Sequence, residues 1–274
     1  MTQAEKWQRD LAVYQEINTT FIIEGNVHDL QPWLYPDGTC EPVSLSKYLH
    51  RFLSETGYDP IVFYNRIDGF SNPYSMEMTA TFFRLASTDE KASRAIGNAT
   101  EAVRKVMANT VRPSAVVIDL ANTMTGSPDS LTDEEIEYYT RLMLASKTSE
   151  QALSMRDRRP LTNLLFLIVE KVNDVPTWFY LNNPFVRTVT VTRPEKAVRA
   201  AVIDARLDTL AGVSELTAEE REHAMDEFTA LSEGMTLVEL FGIFSLCRLK
   251  HYSVHKIRDA IKMYRYGETE SHWD

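Results

Sequence analysis

Only two cysteines, Cys40 and Cys247, occur in the 274 residues. They lie far apart and form no metal-spaced pair, which fits a reducing compartment. Basic residues are in the minority, 29 Lys and Arg against 39 Asp and Glu, for a net charge of -10. General nucleic-acid binding needs concentrated Lys and Arg against phosphate, so the charge argues against that class while leaving room for a local basic patch, and no nucleic-acid partner is expected. No run of about 18 apolar residues occurs, so no membrane-spanning helix is expected. The longest apolar stretch, Leu164 to Val169, has the length of a buried strand. The opening "MTQAEKWQRDLAVYQEI" is charged throughout and lacks the apolar centre of a signal peptide. A soluble, cytoplasmic protein without membrane partners is the expectation. The six histidines show no H-E-x-x-H spacing, and neither cysteine lies in a recognisable nucleophile motif. No catalytic set and no metal site is therefore assigned.

What is present is a regular alternation. With 44% hydrophobic and 25% charged residues the chain is composed like a globular protein. Trp7, Leu11 and Tyr14 share one helical face within Ala4 to Ile17. Strands are expected at Thr20 to Glu24 and in "PIVFYNRIDGF", "SAVVIDL", "NLLFLIVE" and "RTVTVT". Helices are expected in "SLSKYLHRFLSETG", which Gly57 stops, and from Met76 to Asn109 with a break near Ser87 to Asp89. Strands apolar at nearly every position and separated by helices indicate a parallel sheet covered on both faces. After Pro194 only helices are read. Thr132 with Glu135, Thr217 with Glu220 and Thr236 with Glu239 are capping boxes, and Ser253 is a candidate cap for the last helix. The reading is an α/β domain over 1–194, a small all-helical domain over 195–267 and the start of a linker or tail at 268–274.

This order resembles the AAA+ ATPase superfamily, in which a parallel α/β domain is followed by a small helical lid. "SAVVIDLAN" is similar to the Walker B strand, and "NLLFLIVEKVNDVPTWF" to the following strand that ends in a polar sensor residue. "NNPFVRTVTVTRPEKAVRAAVI" is similar to the segment in which an arginine precedes a strand, and "LSEGMTLVELFGIFSLCRLKHYSVHKIRDAI" to the lid. The four segments cover about half of the chain from Ser114 onward. The ending "MYRYGETESHWD" resembles a lid helix entering a linker, so the chain is read as the first module of a tandem protein.

The resemblance implies a phosphate loop, G-x-x-x-x-G-K-[ST], whose backbone N–H groups wrap phosphate while lysine and a hydroxyl hold phosphate and magnesium. No such string occurs. In "NTTFIIEGNVHDLQPWLYPDG" the fifth residue after Gly25 is Leu30, and no lysine follows before Lys47. Pro32 and Pro36 also lack the N–H groups that such a loop offers. At the Walker B position Asp119 is kept, but Leu120 stands where the resemblance implies a catalytic glutamate. Glu170 and Lys171 occupy the sensor region, with Asn173 a little later, and His255, Lys256 and Arg258 lie in the last lid helix.

The residues assigned to a vestigial or weak nucleotide site are Gly25, Asn26, Asp119 and Arg187. Arg187 is read as an arginine finger toward a neighbouring subunit or as a surface ion-pair partner. Asp119 is read as a residual metal ligand or as a cap. Arg193 and Arg199 are read as braces between the domains. Asn26, His28 and Asp29 form a polar set at a strand's carboxyl end, either a ligand site or turn formers. Trp33 and Tyr35 either pack over a vacant cleft or contact another protein. The leading expectation is a non-hydrolysing AAA+ module that serves ring assembly and partner binding within a protein-remodelling ATPase, with no cofactor of its own. The alternative keeps ATP or ADP, with magnesium, as a regulatory ligand. An unrelated enzyme built on "GNVHD" is the third reading.

Overall fold

A computed structural model describes residues 4–37 and 39–267; the expected tail at 268–274 lies outside the described residues. In chain order the first elements are α1 (Lys6–Tyr14), β1 (Thr20–Gly25), β2 (Leu30–Leu34), β3 (Cys40–Ser44), α2 (Leu45–Thr56), β4 (Ile61–Asn65) and β5 (Gly69–Ser71). Then come α3 (Met76–Ala86), α4 (Ile96–Met107), β6 (Ala115–Ile118), α5 (Asp133–Lys147), β7 (Gln151–Leu153), β8 (Pro160–Thr162) and β9 (Leu164–Ile168). The chain closes with α6 (Thr177–Tyr180), β10 (Val186–Val191), α7 (Lys196–Leu207), α8 (Ala218–Leu231), α9 (Leu237–Leu249) and α10 (Ile257–Tyr266). Among the described residues two compact units result: Lys6–Val27 with Ser46–Thr192, and His28–Leu45 with residues 193–267 and 4–5.

The first unit is built on a six-stranded sheet in the order β10-β1-β9-β6-β4-β5, parallel throughout except for β5 against β4. Every residue of β6 and β9 is buried, as expected for strands apolar at each position and covered on both faces. On one face Ile22, Val116, Leu165 and Leu167 pack with Phe82, Val103 and Leu142 from α3, α4 and α5. The alternate residues Phe21 and Phe166 stack on the other face with ring centroids 5.3 Å apart. Helices α1 and α2 bring buried Trp7, Leu11, Leu49 and Leu53, with Trp7 4.9 Å from Tyr48. Asn163 fastens the start of β9: its Oδ1 accepts the Ser114 N–H at 2.8 Å, and its Nδ2 donates to the Met107 and Asn109 carbonyls at 2.9 and 2.8 Å.

The second unit buries Val202, Ile203, Phe228, Leu240, Ile243 and Ile257 from α7 to α10. The boxes read at Thr217 and Thr236 close α8 and α9, and that at Thr132 closes α5. Ser253 stands before a short 3-10 turn, Val254–Lys256, and α10 begins only at Ile257.

The segment after β1, read from the sequence as a loop, forms the hairpin β2–β3 instead. Pro32 and Pro42 stand opposite each other in its register. Counting from the Tyr35 N–H donated to the Thr39 carbonyl, that pair falls where neither N–H would face the partner strand. Leu30 and Cys40 pack against the helical core, so this hairpin belongs to the helical unit.

Candidate functional site

In an open parallel sheet, ligands gather outside the carboxyl ends of the strands where their order reverses. Here that edge lies around the end of β1, between β9 and β10. Gly25 ends β1 and Asn26 follows it, Asp119 follows β6, and Glu170 stands shortly after β9. With one strand between them, the axes of β1 and β6 are about 10 Å apart. Three of the four residues assigned from the sequence thus share one edge. Arg187 does not join them. It pairs in register with Phe21 while Gly25 pairs with Val191, which places it four residues, about 13 Å, toward the opposite edge. Its guanidinium lies over the Tyr14 ring, 3.2 Å from the centroid.

The conformation at Gly25 follows from close packing. Its φ is +93°, and a Cβ there would lie 2.6 Å from the Val191 carbonyl oxygen. Three backbone donors at the end of β1 are engaged. Gly25 N–H donates to the Glu170 carbonyl at 3.1 Å, Asn26 N–H to the Val191 carbonyl at 2.9 Å and Val27 N–H to the Gly25 carbonyl at 2.8 Å. The neighbouring side chain is acidic: Glu24 accepts the Val172 N–H at 2.6 Å and the Thr190 hydroxyl at 3.0 Å.

Asp119 is half-buried and donates its N–H to the Tyr64 carbonyl at 2.8 Å. Its Oδ1 accepts the N–H of Leu120 at 2.9 Å. Leu120 is left-handed, with φ 50° and ψ 42°, and 42% exposed, and it opens the 3-10 turn Ala121–Met124. In the sensor region the Lys171 N–H donates to Asp174 Oδ2 at 3.0 Å, and the Tyr180 hydroxyl reaches Asn173 Oδ1 at 3.4 Å. Among the described residues no group of three or more His, Cys, Asp or Glu side chains is arranged to hold a metal ion.

The polar set Asn26, His28 and Asp29 is divided between the two units. Asp29, 5% exposed, accepts the Leu237 and Val238 N–H groups at the start of α9, each at 2.9 Å. Sequence reading missed that role. The signal was in α9 itself, whose first two residues are Leu and Val where α5 begins with Asp133 and Glu134. The lid arginines are also engaged within the helical unit. Arg193 donates to the Gly234 carbonyl, buried Arg199 to the Pro194 carbonyl at 2.8 Å, and Arg258 pairs with Glu227 at 2.8 Å. The Tyr35 hydroxyl donates to Glu41, and its exposed ring borders an open cleft of about 460 Å³ with Cys40, Pro42, Val202 and Arg206. Burial, with the Glu5 carboxylate, raises the Cys40 thiol to about 11.

The family described as AAA+ chaperone, N-terminal Rossmann-like domain, matches residues 4–192. No curated protein matches the chain. Among solved structures, a chain of the E. coli MS115-1 HORMA:CdnC:Trip13 complex is similar, with TM-score 0.51 and 10% identity over 95% of this chain and 77% of that one. The FIGL-1 AAA domain in complex with ADP is similar over 98% of this chain and 85% of that one, with TM-score 0.49 and 8% identity. At 10% identity the first likeness concerns the fold, a mostly parallel sheet with helices on both sides and further helices at the C-terminus. The chain belongs to the AAA+ chaperone family, whose N-terminal Rossmann-like domain spans its first two thirds.

Proposed function

We propose that this AAA+ module works in a protein-remodelling ATPase by assembling with other subunits and holding a partner protein, without hydrolysing ATP itself. The observation that carries this reading is the engagement of the Gly25, Asn26 and Val27 N–H groups with carbonyls of the same unit. A phosphate site needs such donors turned toward the anion. Beside them the Glu24 carboxylate adds negative charge, and no lysine follows before Lys47. These residues do not fit a magnesium nucleotide, and no step is derived through one. Leu120 supplies no base for water, and phosphoryl transfer relies on several positioned charges acting together. Gly25, Asn26 and Asp119 are therefore a vestige of a nucleotide site. Arg187, engaged with Tyr14, is a packing residue within its own subunit.

The Trip13 chain to which the fold is similar was solved in a complex with HORMA and CdnC components. That is the support for protein partners, taken over here by analogy of fold. The division into an α/β domain over 1–194 and a lid over 195–267 is proposed as the functional one, the hairpin β2–β3 serving the lid. Phosphate release from ATP and sedimentation of the same sample test the proposal together. Release at the level of a protein-free blank, with self-association that nucleotide leaves unchanged, is the expected result. Steady turnover that scales with protein concentration would overturn it.

A further inference from the structure

The outermost strands of an open sheet turn one row of backbone N–H and C=O groups away from the sheet, a template for a further strand. The two edges of the six-stranded sheet differ in this respect. β5 is short, Gly69–Ser71, and Pro73 soon follows it, so little ladder is offered there. β10 is twice as long, contains no proline, and Arg187 is its only residue without a branched Cβ. Among the described residues it pairs with β1 alone. The Phe185 and Val191 carbonyls accept the Thr20 and Asn26 N–H groups at 3.1 and 2.9 Å, so the odd-numbered residues face β1. Thr188 and Thr190 therefore turn their N–H and C=O groups outward, and both side chains are exposed. The Val186 N–H, on the same outer side, donates to the Asn183 carbonyl at 3.2 Å, so the open ladder begins beyond it. Exposed apolar side chains accompany this edge. α1 packs on the face of Arg187, whose guanidinium lies over Tyr14, and it carries Val13, 59% exposed. α6 packs on the face of Val186 and carries Trp178, 46% exposed. Ile17 and Phe185 are exposed where β1 and β10 begin.

We propose that the outer edge of β10 receives an extended segment of a partner protein as an added strand, the segment being uncharged and rich in apolar and β-branched residues. The occupant follows from the chemistry of the edge: a row of alternating backbone donors and acceptors is matched by another extended backbone, and a helix has no such groups to spare. Thr188 and Thr190 supply the main-chain bonds, and alternate side chains of the segment lie on the α1 side and the α6 side of the sheet. Neither a lysine nor a proline stands in β10 to turn such a strand away. The inference rests on the partner-holding part of the function proposed above and names the surface that does the holding. It is read by binding, so its failure is distinct from that of the hydrolysis reading, which phosphate release decides.

The probe is a fluorescent peptide of alternating threonine and valine, closed at each end by lysine for solubility, added to the full chain and followed by anisotropy. The wild-type chain should bind it, with slowed amide exchange at Thr188 and Thr190, and should not bind an alanine-rich helical peptide with the same ends. Thr188→Pro removes one outward N–H while the ladder to β1 stays intact, and should weaken binding about tenfold. Thr188→Lys sets a charge on the edge and keeps the backbone, so it gives the reading if the proline variant does not fold. Absence of binding to the wild-type chain, equal binding by the variants, or protection confined to amides outside β10 overturns the inference. So does sedimentation in which Thr188→Pro splits a wild-type oligomer, since a second copy of this chain would then be the occupant.

Discussion

Gly25→Ala separates a glycine kept for packing from one kept for a phosphate. At φ +93° an alanine adopts a conformation that costs about 1–2 kcal/mol for an L residue. Its methyl would meet the Val191 carbonyl oxygen at 2.6 Å, so β1 and β10 must part at their carboxyl ends. Parting them weakens the bond from Asn26 N–H to Val191, now 2.9 Å, at a cost of about 1 kcal/mol. Alanine also restricts the unfolded chain, which returns about 0.5 kcal/mol. The net loss is about 2 kcal/mol, or about 4–8 °C in the melting midpoint of the sheet unit. Melting followed by far-ultraviolet circular dichroism reads it directly. A variant that melts with the wild-type chain would refute the argument, because the close approach to Val191 would then carry no energy.

Three further outcomes are expected. Asn163→Ala leaves the Ser114 N–H and the Met107 and Asn109 carbonyls without their partner and should cost about 2–4 kcal/mol in urea unfolding. Leu120→Gly relieves a left-handed backbone at a 42% exposed site and should stabilise by roughly 0.5–1 kcal/mol; a loss would mean that the leucine side chain matters more than its strain. Cys40 titrates at about 11 in the folded chain against 9.0 for an ordinary thiol. Its folded pKa is raised, so its contribution is fully present below pH 9 and is lost as pH rises through about 11. Stability at alkaline pH should therefore fall less in Cys40→Ala than in the wild type, and native Cys40 should alkylate slowly near pH 8, a rate near that of a free thiol being the contrary result.

Much of the sheet was legible because burial on both faces leaves a strong mark. "SAVVIDL" and "NLLFLIVE" are apolar at every inner position, and both became fully buried central strands. The capping boxes were legible because they are local: residue and partner lie three apart. The hairpin β2–β3 was not, since Pro32 was taken only as a residue without an N–H, and its place opposite Pro42 is set by the register. Asp29 read as a turn former because its partners, Leu237 and Val238, are remote in sequence. At the end of β1, the absence of a lysine and of the glycine spacing could be read directly from the sequence. The fate of the remaining N–H groups could not, because their acceptors at Glu170 and Val191 lie on other strands. The place of Arg187 was hidden for the same reason: its distance from Gly25 is set by the register of β10 on β1.

The central claim, that the end of β1 no longer receives a nucleotide, is tested most directly by isothermal titration of the purified chain with ATP and with ADP in the presence of magnesium. The account predicts no binding heat up to millimolar nucleotide. Binding in the micromolar range would contradict it, and would mean that donors other than those of Gly25, Asn26 and Val27 hold the phosphates.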